Sequence, residues 1–130
     1  IGSDAGATAG AGETGQTGLP HPRAFGNFPR LIARYDKERR VLTLEEAIRK
    51  MTSWPATRIR LEGRGVIRDG AWADVVIFDY DKIKDQATYE RPMLSPLGID
   101  WVIVNGKVVI DHGRHTGARP GKVLYGPGKQ

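Results

Sequence analysis

The spacing of apolar residues changes once along this chain, and that change constrains the fold more than any other feature. Before residue 62, apolar residues recur at helical intervals, as in "TLEEAIRKM", whereas after residue 65 they follow the pattern of strands, as in "ADVVIFDY". Helices therefore come first and strands last. We divide the 130 residues into two regions, 1–62 and 63–130, each too small to bury its own apolar face.

Three short helices are predicted in the first region. Asn27 is the expected N-cap of the first helix, with Pro29 in its first turn. Its apolar face would hold Phe28, Leu31, Ile32 and Tyr35. Thr43 and Glu46 form a capping box for the second helix. Ser53 is the expected cap of the third helix, which Gly63 would end.

The second region predicts a small sheet. "GVIRDG" is expected to be a short strand and turn, and "ADVVIFDY" a buried strand. "WVIVNGKVVID" predicts a hairpin, because Asn105-Gly106 supplies the positive φ angles of a type I′ turn. Residues 81–98 are expected to be irregular, and one edge strand is predicted near Val123.

A glycine-rich stretch at residues 6–19 is predicted to be a loop, and loops of this length are usually functional or disordered. It contains "GAGETG", which formally matches a dinucleotide fingerprint. No strand precedes it, no helix follows it, and Gln16 stands where a P-loop needs its lysine. The pattern therefore favours a flexible loop over a nucleotide site.

Three residues around this loop are candidates for a catalytic site. Residues 1–3 are expected to end a strand, so Asp4 would lie where α/β barrels place catalytic groups, at the carboxyl end of a strand. His21 lies between two prolines that restrict its backbone, and Arg23 follows it. A His and an Arg held beside a loop could contact an anionic or amide substrate; a simple helix-entry turn is the alternative for His21.

"DHGRH" offers Asp111, His112 and His115 as possible metal ligands. The spacing falls on a turn after the hairpin, contains Gly113, and has no fourth ligand nearby. An exposed turn is therefore the preferred interpretation.

Composition excludes several classes of protein. The chain has no cysteine, so it has no disulfide and no thiolate metal site, which suits a cytoplasmic protein. No run of 18 apolar residues exists, so no membrane association is expected. The net charge of +5 is spread along the chain among acidic residues, and no nucleic-acid partner is expected.

Four segments together resemble the C-terminal part of the amidohydrolase superfamily, and in particular the N-acyl-D-amino-acid deacylases, or D-aminoacylases. They are "GSDA", "PHPRAFGNFPRLIARY", "LTLEEAIRKMTSWPATRIRLEGRGVIRDGAWADVVIFD" and "IDWVIVNGKVVIDHGRHTGARPGKVL". The third segment is also similar to dihydroorotase- and hydantoinase-like enzymes. The second and the end of the fourth are similar to the D-aminoacylase branch.

The resemblance implies an α/β fold. Region 1–62 would be the end of a metal-dependent hydrolase barrel, a (β/α)8 barrel, with strand eight, a long loop and the closing helices. Region 63–130 would be the C-terminal half of a small β-sandwich domain. "GSDA" matches the end of strand eight, where relatives more often have "SDG".

The resemblance also implies the chemistry. Asp4 would be the general base and a metal-site neighbour, which deprotonates a zinc-bound water and later protonates the leaving amine. The cofactor would be one or two Zn²⁺ ions, whose histidine ligands belong to earlier barrel strands that this sequence lacks. The enzyme would hydrolyse the amide bond of N-acyl-D-amino acids only when assembled with its N-terminal portion or a larger companion chain.

Two alternatives stay open at the level of sequence. One is a hydrolase of cyclic amides, similar to hydantoinases and dihydropyrimidinases. The other is a non-enzymatic assembly module, in which the strands pair with a partner and Asp4 has no catalytic role.

Overall fold

The computed structural model describes residues 1–6 and 19–125. The first region contains α1 (Arg23–Arg30), a π-helix that continues it (Leu31–Glu38), α2 (Leu44–Met51) and α3 (Ser53–Arg58). The second contains β1 (Val75–Phe78), β2 (Ile99–Val104), β3 (Lys107–Asp111) and β4 (Arg114–His115). The order of helices first and strands last is confirmed, and the boundary at residue 62 stays a prediction.

The first helix begins earlier than predicted. It starts at Arg23 because Pro22, with φ fixed at −51°, already has helical geometry before it. Asn27 is therefore inside α1, and its side-chain amide donates a hydrogen bond to the Gly2 carbonyl over 3.3 Å. The predicted cap at Asn27 was wrong.

The buried face of this helix is also displaced from the predicted one. The buried residues are Gly26, Pro29, Ile32, Ala33 and Asp36. Phe28 and Tyr35, which were predicted on the apolar face, are 41% and 38% exposed. The helix widens to π geometry from Leu31, which changes the angular spacing of side chains. The distant segment 79–91 packs on part of that face, through Asp85 and Ala87 against Gly26 and Tyr80 against Asp36, and α2 packs against the π-helix.

The cap of α2 is confirmed in its main bond. The Thr43 hydroxyl accepts a hydrogen bond from the Glu46 backbone N–H over 3.3 Å. The Glu46 carboxylate pairs with Arg49 at 3.0 Å instead of returning to Thr43. At the same helix end, the pKa of the Glu45 carboxyl is lowered, first by a hydrogen bond from the Glu45 backbone N–H and second by one from the Thr43 hydroxyl.

Two other predicted details differ in the structure. The residue that caps α3 is Thr52, not Ser53. "GVIRDG" is not a strand, because Gly65 has φ +80° and an added Cβ there would lie 2.9 Å from both Ala56 Cβ and the Thr52 carbonyl oxygen. The chain turns tightly against α3 at this point.

The four described strands form one antiparallel sheet in the order β1-β2-β3-β4. Val76 faces Val102 across the first pair, and Trp101 faces Asp111 across the second. The predicted Asn105-Gly106 turn is confirmed, with φ values of 47° and 78°. No strand lies near Val123 among the described residues, so the predicted edge strand was wrong and β4 forms an edge instead. Residues 1–6 pair with no strand in the structure, and their assignment to the end of a barrel strand stays a prediction.

The irregular segment 79–98 joins the helices to the sheet. The two ends of this segment are joined by backbone hydrogen bonds. The Asp79 N–H donates to the Gly98 carbonyl over 2.8 Å, and Lys84 and Leu97 form an isolated antiparallel β-bridge. Lys37 Nζ donates to the carbonyls of Tyr80 and Asp81, each over 2.8 Å. Segment 79–98 therefore links the helical region to the sheet, two parts of the chain between which the sequence patterns predicted no contact.

The helices of the described residues are too short or too polar for any of them to cross a bilayer.

Candidate active site

A groove of ≈ 640 Å³ runs along the start of α1 and the segment 85–90. Helix α1 contributes Arg23, Gly26 and Arg30 to its wall, and the facing segment contributes Asp85 and Tyr89. Gly26 permits this close approach, because a Cβ there would lie 3.2 Å from the Asp85 Cβ. Opposite faces of the groove thus come from residues about sixty positions apart.

Two of the three candidate residues from the sequence, His21 and Arg23, line this groove, and the third, Asp4, contacts Arg23. Arg23 Nη2 lies 3.1 Å from Asp4 Oδ2, although the glycine-rich stretch separates them in the chain. The His21 ring lines the groove, and its Nδ1 accepts a hydrogen bond from the Arg23 backbone N–H over 3.0 Å. Asp4, His21 and Arg23 therefore form one connected cluster.

Asp4 has an unusual backbone for a residue before a loop. Its φ is 51°, in the left-handed region that Asp tolerates better than most residues. Its side chain is 89% exposed, against 42% for Arg23. The Asp4 carboxylate is thus held by one ion pair and is otherwise open to reactants or to a further polypeptide.

Tyr89 completes the cluster and was not predicted from the sequence. Its hydroxyl lies 3.2 Å from His21 Nε2, and the two rings pack edge to face with centroids 5.2 Å apart. Tyr89 belongs to the irregular segment, where no periodicity or motif indicates a contact with residue 21. Nothing in the local pattern could have found it.

An ion pair fixes the other end of the groove. Arg30 Nη1 lies 2.9 Å from Asp85 Oδ2, and the Asp85 side chain is only 15% exposed. The pKa of the Glu90 carboxyl, next to Tyr89, is lowered. The larger cause is a hydrogen bond from the Glu90 backbone N–H, and the second is a hydrogen bond from the Thr88 hydroxyl. The groove therefore carries charges of both signs, with the guanidinium of Arg23 beside Asp4.

The "DHGRH" residues are exposed, as predicted, and their turn is His112-Gly113, which joins β3 to β4. His112 Nδ1 is 2.6 Å from Asp111 Oδ1, and its ring packs against Trp101 at 4.6 Å. His115 Nδ1 accepts from the Gly117 N–H over 2.9 Å. Within residues 1–6 and 19–125, no three His, Asp or Glu side chains are grouped to hold a metal ion.

The loop assigned to residues 6–19, with its "GAGETG" pattern, lies largely outside the described residues, which resume at Leu19. Its interpretation as a flexible loop beside the site stays a prediction.

Comparison with known proteins gives consistent matches. The family model described as "Amidohydrolase family" matches residues 14–110. An N-acyl-D-glutamate deacylase of Alcaligenes xylosoxydans xylosoxydans is 47% identical over 105 residues, which is 81% of this chain and 21% of that protein. A dihydroorotase of Lactobacillus johnsonii is 32% identical over 96 residues, 66% of this chain and 23% of the relative.

Solved structures agree with these matches. The N-acyl-D-glutamate deacylase of Bordetella bronchiseptica, complexed with zinc and a phosphonate mimic of the tetrahedral intermediate, has a TM-score of 0.75 at 47% identity over 81% of this chain and 22% of its own. A D-aminoacylase mutant in complex with CuCl2 has a TM-score of 0.78 at 40% identity, over 81% of this chain and 22% of its own. The chain thus spans about a fifth of the length of these relatives.

Proposed function

This chain belongs to the amidohydrolase family, and from that premise we propose that it is the C-terminal part of a metal-dependent hydrolase of N-acyl-D-amino acids. The reaction cleaves the amide C–N bond and releases a carboxylate and a D-amino acid. The observation that carries the proposal is the connected cluster of Asp4, His21 and Arg23, of which His21 and Arg23 line the groove. Relatives with this activity in their names are up to 47% identical to the chain.

The catalytic unit we propose is larger than this chain. Residues 1–62 would close a (β/α)8 barrel and residues 63–130 would complete a small β-sandwich. The rest would come from the N-terminal portion of the same enzyme or from a companion chain, and we call the whole the assembled enzyme. The coverage of only 21% of the deacylase supports this arrangement, as does the exposed apolar surface of both regions.

Asp4 is proposed as the proton carrier of the reaction. An ionised carboxylate can take a proton from the attacking water and give it to the leaving amine, as a general base and then a general acid. The ion pair with Arg23 positions the Asp4 carboxylate next to the proposed substrate-binding residues. Its 89% exposure leaves the carboxylate reachable from the side where the rest of the barrel would lie.

Arg23 and His21 are proposed to bind substrate. A guanidinium has five N–H donors, and Asp4 engages Nη2 of Arg23, so others remain for the carboxylate of an N-acyl amino acid. The backbone bond from Arg23 to His21 Nδ1 holds the imidazole in place beside it. Both residues line the same groove.

Zinc is the proposed cofactor, as one or two ions. The described residues do not by themselves form a metal site, since they offer Asp4 as a single carboxylate and no group of three ligands. Asp4 could add one ligand to a set supplied by the other barrel strands. When bound, zinc would polarise the amide carbonyl and lower the pKa of a water molecule.

The test is the Asp4→Asn variant of the assembled enzyme. We expect kcat for an N-acyl-D-amino acid to fall about 10²- to 10⁴-fold, because proton transfer by a positioned carboxylate is worth that much, while assembly measured by gel filtration is unchanged. Asp111→Asn is the matched control, since it makes the same change at an exposed carboxylate outside the groove. Unchanged turnover in Asp4→Asn would remove the catalytic assignment.

Hydrolysis of a cyclic amide such as a hydantoin or dihydropyrimidine is the second candidate. The 32% identity to a dihydroorotase favours it. The two activities are separated by assaying the zinc-loaded assembled enzyme with N-acyl-D-amino acids, their L enantiomers and a hydantoin. Turnover of only the hydantoin would replace the first proposal, and turnover of none would favour the assembly module.

A further inference from the structure

Tyr89 is a residue of the groove to which no motif or comparison assigns a role. It is 74% exposed and lines the same groove as Arg23 and His21. Its hydrogen-bonding partner among the described contacts is His21 Nε2, over 3.2 Å. The edge-to-face packing of the two rings, at an interplanar angle of 78°, fixes where the hydroxyl lies.

The hydrogen bonds of His21 determine which atom carries the proton between these two residues. Nδ1 of His21 accepts a hydrogen bond from the Arg23 backbone N–H over 3.0 Å. A ring nitrogen that accepts a hydrogen bond carries no hydrogen itself. The neutral imidazole must then carry its hydrogen on Nε2. His21 therefore donates to the Tyr89 oxygen, and the Tyr89 hydroxyl hydrogen is left for another acceptor.

That remaining donor lies in a groove that also holds a guanidinium. Arg23 carries N–H groups beyond the one that contacts Asp4. A neutral O–H and a cationic guanidinium on one groove suit a carboxylate, which accepts hydrogen bonds through two oxygens. Glu90, the neighbouring carboxylate, already receives bonds from its own N–H and from Thr88.

We propose that Tyr89 is a substrate-binding residue, whose hydroxyl donates a hydrogen bond to the substrate carboxylate that Arg23 also contacts. The proposal rests on the proposed function for the identity of the substrate. It does not rest on that function for the direction of the His21–Tyr89 hydrogen bond, which follows from the contacts of His21 alone. The two parts are tested separately.

The first test determines the tautomer of His21. The assembled enzyme is labelled with ¹⁵N at histidine, and the His21 signals are assigned by their loss in His21→Gln. At about two pH units above the ordinary histidine pKa of about 6.5, we expect the pattern of a ring protonated at Nε2. A ring protonated at Nδ1 would overturn the proposal, because the Tyr89 hydroxyl would then donate its hydrogen bond to His21 Nε2 and not to a substrate.

The assembled enzyme labelled with ¹³C at tyrosine and ¹⁵N at arginine gives a readout that needs no turnover. Acetate is titrated as a plain carboxylate probe while the ¹³Cζ signal of Tyr89 is followed. We expect a saturable shift in the wild type that is lost in Arg23→Met. No shift up to the concentration that saturates the wild-type Arg23 signals would overturn the proposal.

The second test is kinetic and uses Tyr89→Phe in the assembled enzyme. This variant keeps the ring that packs on His21 and removes only the hydroxyl. We expect KM for an N-acyl-D-amino acid to rise about 10- to 100-fold, the range for a hydrogen bond to a charged group, with kcat within about twofold, because a contact made equally in ground and transition states changes KM alone.

Tyr80→Phe is the matched control. The Tyr80 hydroxyl contacts Asp36 Oδ2 over 3.0 Å, away from the groove, so its loss should leave KM unchanged. An unchanged KM in Tyr89→Phe, or an equal rise in both variants, would overturn the binding role. A wild-type enzyme without activity on N-acyl-D-amino acids would instead refute the proposed function, and the tautomer and acetate results would still decide the role of Tyr89.

Discussion

At the scale of single residues, the candidate site depends on the shape of one side chain. Arg23 links Asp4 at 3.1 Å through its guanidinium and His21 at 3.0 Å through its backbone N–H. The guanidinium is a planar fork that can hold two carboxylates at once, whereas an ammonium is a point charge. Holding Asp4 together with a second carboxylate thus depends on arginine in particular, whereas any residue except proline could make the backbone bond to His21.

Arg23→Lys is therefore expected to impair binding even though the charge is kept. In the assembled enzyme, KM for an N-acyl-D-amino acid should rise about tenfold or more, because lysine cannot make the paired hydrogen bonds of a guanidinium. Arg49→Lys is the control, since Arg49 forms an exposed pair with Glu46 on α2. Steady-state kinetics measure both, and equal KM values for Arg23→Lys and the wild type would contradict the role given to Arg23.

At the scale of elements, a glycine decides how the irregular segment meets the sheet. Gly98 directly precedes β2 and has φ +75°. A Cβ added there would lie 2.6 Å from the Ile83 backbone nitrogen and 2.8 Å from the Ile83 Cα. Only glycine permits both the left-handed backbone and this approach of backbone to backbone.

Gly98→Ala is expected to destabilise the sheet far more than the same change at another positive-φ glycine. The left-handed conformation costs about 1–2 kcal/mol and forced overpacking about 1–3 kcal/mol more. Gly106→Ala is the matched control, because its φ is +78° but no atom lies within 4 Å of the added Cβ. Amide hydrogen exchange of β2 and β3 in the assembled enzyme measures both, and equal losses of protection would show that the contact with Ile83 does not contribute to stability.

At the scale of the whole molecule, the described residues leave much apolar surface uncovered. Within residues 1–6 and 19–125, nineteen large hydrophobic side chains are exposed, and four of the six buried hydrophobic residues are alanines. Trp54 and Ile59 on the helical side are 44% and 59% exposed, and Val76 and Ile77 of β1 are 52% and 46% exposed. A stable domain of this size normally covers such side chains, so both regions have faces for another polypeptide.

The purified 130-residue chain is therefore expected to fold poorly by itself. It should bind a dye specific for exposed apolar surface and should lack a cooperative thermal transition. Both properties should disappear when the chain is assembled with the polypeptide that supplies the other barrel strands. A monodisperse monomer that melts cooperatively without a companion would contradict the barrel proposal and favour the assembly module.

Local patterns were sufficient wherever neighbours in the sequence decide the conformation. The Thr43 cap of α2 and the Asn105-Gly106 turn are confirmed, because each depends on hydrogen bonds or φ preferences within about four residues. The family was also indicated by contiguous segments such as "PHPRAFGNFPRLIARY", and the matching family model confirms it. The three candidate site residues could be chosen because two of them lie beside prolines and a loop.

Tertiary structure decided the features that depend on distant parts of the chain. Helix α1 buries a face displaced from the predicted one because Asp85 and Ala87 pack against Gly26. Tyr89 contacts His21, which lies 68 positions away in the chain. The Gly98 backbone, just before β2, packs against the Ile83 backbone. The sequence by itself determined the three short helices, strand β1, the β2–β3 hairpin and their order along the chain, since caps, turn preferences and side-chain period are local. Which residues line the groove was decided only by packing, because contacts between distant segments leave no period in the sequence.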